Sequence, residues 1–313
     1  MKPCHNSVVF CHFVGACKVD KVDALSDVLK TIRLSGSTYY CGGFDESESL
    51  VLTSQPKGQF HVVVKGSCWL KQQADDADWV ELKTGDIIAF PTGGAHQLAA
   101  MPESSDANLE PEPNTEPSNL TLLCGSFHYD SSLSHPFVKD LPCFIHAKAV
   151  ETPQLDWLRT LVSVIANESQ QPSQGSVAMI DKLTEALFIQ LMRLHIAEHS
   201  QDSTYLAALA DEKIGVSLNR IHSEKEAYWT VELLAEKAAL SRTAFSEKFT
   251  KMVGVNPKAY LTDTRMQRAK RQLEQSSASM ISIAEATGYG SEASFSKAFK
   301  AFFKVSPGKV RKG

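Results

Sequence analysis

The sequence predicts an α+β multidomain protein: an N-terminal β-barrel or jelly roll, then helices, then a C-terminal all-α domain with two helix-turn-helix units. Three observations carry this. Short β-branched and aromatic runs separated by Gly and Pro fill residues 37–130. Helical apolar periodicity takes over after Pro153. Within the last 85 residues one supersecondary element occurs twice.

The repeat is visible residue by residue. Phe245, Phe249, Val255 and Pro257 recur fifty positions later as Phe295, Phe299, Val305 and Pro307. Ala235-Glu236 recurs forty-nine later as Ala284-Glu285, so the second turn holds one more residue. In the first copy Leu233, Leu234 and Ala238 share one helix face. A turn follows, Ala239-Leu240 in one copy and Gly288-Tyr289-Gly290 in the other. Ser241 and Ser291 are good N-caps for the next helix. Phe245 and Phe249 then lie four apart on its buried face, which leaves Arg242, Thr243, Ser246 and Glu247 on the outer one. A helix-turn-helix places that outer face in the major groove.

Charge supports a nucleic-acid partner. Residues 229–313 hold fifteen Lys or Arg against seven Asp or Glu, a net +8, while the whole chain is −4. A basic module on an acidic chain suits phosphate binding. Between the two units a helix is predicted over Ala259–Gln275, with Met266, Ala269 and Leu273 as its buried stripe. Arg265, Arg268, Lys270 and Arg271 cluster near its polar side. Alone, such a run is more often a solvated face; beside two helix-turn-helices it reads as a phosphate-binding one.

Residues 229–311 resemble the DNA-binding domain of AraC/XylS-type transcription regulators. Leu234-Ala235, Ser241-Arg242-xx-Phe245, Phe249, Gly254, Pro257, Tyr260-Leu261, Arg265-Met266, Ala269, Leu273, Ile283-Ala284, Gly288-Tyr289, Ser294-Phe295, Phe299 and Pro307 carry the resemblance. It departs at the end, where Pro307 is followed by Gly-Lys-Val-Arg rather than the family's Pro-x-x-Tyr-Arg. The resemblance implies two recognition helices on a rigid connecting helix, about 34 Å apart along double-stranded DNA. It places Thr243, Ser246 and Glu247 at the bases in the first unit, and Glu292, Ala293 and Lys297 in the second. Glu can accept from cytosine N4, Ser donates or accepts, Lys favours guanine, and Ala offers only a methyl. Glu247 has a plainer alternative as the i,i+4 partner of Lys251.

The first 228 residues are large enough for a core of their own. No run of eighteen apolar residues exists, so no membrane span is expected. The N-terminus is too polar for a secretory signal, so a cytoplasmic protein with reduced cysteines is expected. The segment Gly85-Asp86-x4-Pro91-x-Gly93-x2-His96 is similar to the second motif of cupins, and His96 should point into the barrel. The first cupin motif is degraded. Gly66 marks its end, Gln59 stands where cupin enzymes carry a metal-binding Glu, and the usual His-x-His is absent. His61 shares the Gln59 side of its strand. His61 and His96 are therefore the effector-binding candidates. The plain alternative is a buried, hydrogen-bonded histidine pair, and a His/Cys metal site with Cys41, Cys68 or Cys124 is a further one. Together with Leu82-x2-Gly85-Asp86, Cys124-Gly125, Leu141-Pro142 and Trp157-Leu158, these motifs resemble the sensory cupins of one AraC-type subgroup.

The predicted organisation follows. Residues 1–150 form a cupin-like sensory domain with an N-terminal arm and a mobile acidic insert at 102–119. Residues 151–200 form a helical connector, 201–228 a linker with a lead-in helix over Leu206–His222, and 229–313 the DNA-binding domain. In the connector Leu155, Leu158, Leu161, Val162 and Ile165 make one apolar face, and Ile180, Leu183, Leu187, Leu191 and Leu194 another. Such stripes form core or a dimer seam, and the resemblance adds a homodimer and RNA polymerase as partners. No Cys-x-x-Cys pair exists among the seven cysteines. Cys11 and Cys17 lie near His5 and His12 and are the redox candidates for an oxidant effector. The reading is a transcription regulator and not an enzyme, with no certain cofactor and a possible metal in the barrel. The alternative is a cupin oxygenase or isomerase with an appended DNA-binding domain.

Overall fold

The structure, a computed structural model, describes residues 23–44, 49–73, 78–101, 120–130, 135–149, 155–202, 204–222 and 229–312. The insert 102–119 and Cys4, Cys11 and Cys17 lie outside the described residues.

A short helix, α1 (Ala24–Thr31), comes first, capped by the Asp23 carboxylate on the Ser26 amide. Eight strands follow: β1 (Ser35–Gly43), β2 (Ser49–Leu52), β3 (Gly58–Lys65), β4 (Ser67–Gln72), β5 (Val80–Lys83), β6 (Ile87–Phe90), β7 (His96–Ala99) and β8 (Thr121–His128). After α2 (Pro136–Lys139), β9 (Ile145–Ala147) completes two antiparallel sheets. Their orders are β1-β8-β3-β6-β9 and β2-β7-β4-β5. The expected barrel is present. β2, β7 and β9 were not expected as strands; at three or four residues each they are too short to show an alternation.

The inner strands β3, β6 and β8 of the five-stranded sheet are buried on both faces, which explains their near-continuous apolar runs. On β3, Val63 faces the barrel interior with Cys68, Leu70, Ile88, Leu98 and Cys124. Phe60 and Val62 face the other way, with Ala89, Phe127 and the helices. The period-2 rule puts Gln59 and His61 on the Val63 side. Both are buried. Gly93 adopts φ +75°, and a Cβ there would lie 2.0 Å from the Gln55 carbonyl oxygen. Only glycine fits this turn, which aims the chain into β7.

The connector is α3 (Leu155–Gln170) and α4 (Ser176–Glu198). Leu158, Leu161, Val162 and Ile165 of α3 are buried as expected. On α4 the fully buried residues are Thr184, Leu187, Phe188, Leu191 and Met192, while Ile180, Leu183 and Leu194 are half-buried. This face packs against the sheet: the Phe188 ring meets Phe127 at 4.8 Å. The stripe is core. Leu206–His222, expected as one helix, is two: α5 (Tyr205–Ala210) and α6 (Ile214–His222). The break is the Asp211 carboxylate, which accepts from the Lys213 and Ile214 amides and starts a new helix.

The last domain holds α7 (Val231–Lys237), α8 (Arg242–Val253), α9 (Pro257–Gln275), α10 (Met280–Ala286), α11 (Glu292–Phe303) and α12 (Pro307–Lys312). The turn after α7 is a Schellman motif, with the Ala239 amide on the Glu236 carbonyl and the Leu240 amide on that of Ala235. The turn after α10 repeats it with Gly288 on Glu285 and Tyr289 on Ala284. The left-handed residue is Gly288 at φ 83° in one copy and Ala239 at φ 52° in the other, where the methyl costs about 1–2 kcal/mol.

The core does not divide at Trp229. One apolar cluster runs from Phe60 and Phe127 through Phe188, Leu206 and Leu218 to Leu234, Phe245, Phe249 and Tyr260. The first helix-turn-helix is thus continuous with the N-terminal body. The second has a separate core of seven buried residues, among them Met266, Leu273, Ile283, Phe295 and Phe299.

Candidate DNA-reading surface and barrel interior

The Ser241 hydroxyl accepts from the Ala244 amide and that of Ser291 from the Ser294 amide, so both N-caps form as the sequence predicts. The two recognition helices, α8 and α11, carry the same ten-residue burial pattern fifty positions apart. Phe245 and Phe249, like Phe295 and Phe299, are wholly buried. Arg242, Thr243 and Glu247 are exposed on α8, and Glu292, Ala293 and Lys297 on α11. Ser246 and its counterpart Ser296 are half-buried. The six expected base-contact positions therefore sit on equivalent faces. Glu247 forms no ion pair with Lys251 among the described residues, so the helix-surface alternative is not realised. Arg242 pairs with Glu232 of α7 at 2.9 Å, both side chains exposed.

The arginines of α9 have partners within the protein that the sequence does not reveal. Arg265 Nη2 donates to the Trp229 carbonyl at 2.8 Å and Arg268 Nη2 to the Ile221 carbonyl at 3.2 Å. Ile221 is in the last turn of α6, where carbonyls lack helical partners, so the guanidinium caps that helix. Arg271 Nη2 bonds Asp27 Oδ1 of α1 at 2.8 Å. These three side chains turn toward the protein and fasten α9 to three segments before it. Their alternation with buried Met266, Ala269 and Leu273 carried no sign of this, because the acceptors are backbone carbonyls and a carboxylate far away in sequence.

Sequence reasoning also missed Asp27, His222, Tyr260 and Tyr205, joined by hydrogen bonds of 2.7, 2.8 and 2.7 Å. All four are buried. Burial alone would raise the Asp27 carboxyl. The hydrogen bond with His222 and the nearby His222, Arg271 and Arg268 outweigh it and hold Asp27 at about 2.

His61 and His96, on opposite sheets, meet in the barrel interior. Their Nε2 atoms are 2.8 Å apart, His61 Nδ1 is 3.0 Å from Cys124 Sγ, and His96 Nδ1 is 2.8 Å from the Gly94 carbonyl oxygen. Burial lowers both histidines; the His96 imidazole lowers His61 further, while the Gly94 hydrogen bond partly offsets the effect of burial on His96. One proton arrangement then satisfies every contact. His96 Nδ1–H donates to Gly94, His61 Nε2–H donates to His96, and the Cys124 thiol donates to His61. Burial pushes that thiol up to about 12. Phe90 stacks on His96 at 3.8 Å.

This donor set does not fit the metal of a cupin enzyme. The carboxylate position is the neutral Gln59. Two imidazole nitrogens on one tetrahedral zinc lie about 3.3 Å apart, with Zn–N near 2.0 Å, yet here they bond each other. No group of three or more metal-ligating side chains occurs among the described residues.

An antiparallel barrel joined to two helix-turn-helix units on one connecting helix has the make-up of a DNA-binding protein with a folded N-terminal body. The comparisons agree. Residues 23–197 match the cupin family model and residues 234–313 a helix-turn-helix domain. The chain is 31% identical over 301 residues to the HTH-type transcriptional regulator AlkR of Acinetobacter baylyi, covering 91% of this chain and 98% of that one. It is 30% identical over 271 residues to an uncharacterised HTH-type transcriptional regulator of Haemophilus influenzae, covering 82% and 86%. Among solved structures it is similar to the DNA-binding domain of AdpA in complex with a target DNA, at 30% identity over 34% of this chain and 90% of that one, with a TM-score of 0.29. The chain belongs to the AraC-type transcription regulators with an N-terminal cupin domain, and it binds double-stranded DNA.

Proposed function

We propose that this regulator answers a signal received by its N-terminal domain, and that Thr243, Ser246, Glu247, Glu292, Ala293 and Lys297 read base edges. The carrying observation is the ten-residue burial pattern shared by 241–250 and 291–300, which gives α8 and α11 matching outer faces, as reading successive turns of the groove requires. Arg242 would serve the neighbouring phosphate. Arg265 and Arg268 act through the fold instead, by fastening α9. The protein works in the cytoplasm as a homodimer through the exposed Val177 and Met179 side of α4 and engages RNA polymerase. It acts as a regulator rather than an enzyme, the role its curated relatives are named for. His61 and His96 are the effector candidates in the barrel, and Cys11 and Cys17 the oxidant candidates.

The test is a binding-site selection with the full chain. Ser246→Ala and Lys297→Ala should each relax the preference at one base position, at about 1–3 kcal/mol per lost contact. If both keep the wild-type profile, the register of α8 and α11 is wrong. In the same selection His61→Ala/His96→Ala should keep the profile, and in cells it should lose the response of a reporter gene to its inducing condition. A retained response would make the pair structural.

A further inference from the structure

The C-terminal end of α4 carries His195 in its last turn and His199 as its C-cap. Side chains four apart on a helix are neighbours on one face, and they lean toward the helix N-terminus. The His199 ring accordingly lies back over that of His195, with centroids 4.0 Å apart and planes 27° apart. His195 is half-buried and His199 exposed, so the pair is reached from solvent. Neither belongs to the barrel pair or to the buried chain of Asp27, His222, Tyr260 and Tyr205.

The hydrogen bonding of the pair is that of metal ligands. His199 Nδ1 is 3.0 Å from the His195 carbonyl oxygen. A carbonyl only accepts, so Nδ1 carries the proton and Nε2 keeps the lone pair. A ligating imidazole is held in just this way, its other N–H on a backbone carbonyl that fixes tautomer and ring orientation. The His195 ring has no hydrogen-bond partner among the described residues. Charge is the second observation. Burial and His199 lower the His195 imidazole, and the Asp202 and Asp140 carboxylates oppose them. Both carboxylates thus favour a cation at this ring. Asp202 is turned back toward the helix end by its own amide, which donates to the His199 carbonyl at 3.1 Å. Two histidines four apart on one helix face are a recurring zinc-binding arrangement. Imidazole nitrogen selects zinc, nickel and copper, whereas magnesium and calcium take oxygen ligands.

We propose that His195 and His199 form a two-histidine chelate for a divalent transition-metal ion at the end of α4. Two ligand nitrogens on a tetrahedral zinc stand about 3.3 Å apart, so rings stacked at 4.0 Å close on it by a small side-chain rotation. In the barrel the two imidazoles are bonded to each other; here no hydrogen bond joins the rings. Among the described residues no third side chain stands in coordinating position, and water fills the remaining places. The ion ties the last turn of α4 to its cap directly before the chain enters α5, and so stiffens the joint between the barrel's helices and the lead-in to the first helix-turn-helix. The site lies outside the barrel and off the DNA-reading helices, so it stands or falls apart from both readings above.

The experiment titrates the untagged full chain with nickel chloride and follows backbone amide signals by NMR. Paramagnetic nickel should broaden the signals of residues 195–199, diamagnetic zinc should displace it and restore them, and magnesium should not. His195→Gln and His199→Gln should each weaken nickel at this site by at least about tenfold, the lower end of what losing even an orienting partner costs a metal site. His199→Gln combined with Ala197→His keeps two histidines but puts them on different faces of the helix, and should stay as weak as His199→Gln alone. The barrel histidines and all seven cysteines remain in every variant, so metal bound there is common to all of them. The proposal is overturned if nickel leaves the 195–199 signals unbroadened, or if either Gln variant keeps the wild-type broadening. It is equally overturned if adding Ala197→His restores wild-type affinity.

Discussion

Phe299→Ala should melt the second helix-turn-helix and leave the first one standing. Phe299 is wholly buried and contacts the Phe295 and Phe303 rings at 5.5 and 4.6 Å. Removing such a ring from a core costs about 3–5 kcal/mol. The cluster it belongs to has only seven buried residues and does not join the main core. That loss is comparable to what so small a unit can hold. Amide exchange should therefore accelerate across α10 and α11 and stay slow across α7 and α8. DNA affinity should fall to that of a single half-site. Phe249→Ala makes the contrast: its cluster extends into the sensory body, so its cost should appear in one transition shared by barrel and first unit. Equal exchange in all four helices of the Phe299→Ala protein would show that the two units are not separate.

Asp27→Asn should be the most damaging single-atom change in the N-terminal body. Asp27 is 3% exposed and bonds both His222 and Arg271. Neutralising it leaves a partly buried guanidinium without its counter-charge, and removing one partner of a buried pair costs about 3–5 kcal/mol. The pH dependence gives a separate check. The carboxyl is lowered from 3.8 to about 2 in the folded state, so its stabilisation is present above pH 4 and is lost as pH falls through 2. The shift corresponds to about 2 kcal/mol. The urea midpoints of wild type and variant should thus be far apart at pH 5 and converge between pH 4 and 2. A gap that stays constant over that range would mean Asp27 is not charged in the native protein.

The C-terminal domain was legible because each helix-turn-helix is specified locally. N-cap serine, Schellman turn and the Phe pair all lie within about twenty residues, and the copy fifty residues on reproduces them. The inward aim of His96 was legible for the same reason, since Gly93 and Pro91 shape its approach. Contacts between distant segments were not. The Asp27–His222 bond spans 195 residues and Arg271–Asp27 spans 244, and neither residue looks unusual in its own neighbourhood. The charge run on α9 suggested phosphate because its count is visible in sequence and its acceptors are not. The continuity of packing across Trp229 was not legible, because a composition shift marks where charge changes and says nothing of which apolar faces meet.

Uneven fastening of the two recognition units has a mechanical consequence. The first is part of the sensory body's own packing, whereas the second is carried at the far end of α9. That helix has nineteen residues, roughly 28 Å at 1.5 Å per residue. Pivoted near Pro257, it is a lever. A tilt of about 5° displaces the Gln275 end by roughly 2.5 Å, nearly a hydrogen-bond length. A small yielding at the Arg271–Asp27 and Arg33–Glu274 clamps is thereby enlarged at α11. The rod divides the two units mechanically: one is held by the main core, while the place of the other follows the tilt of α9.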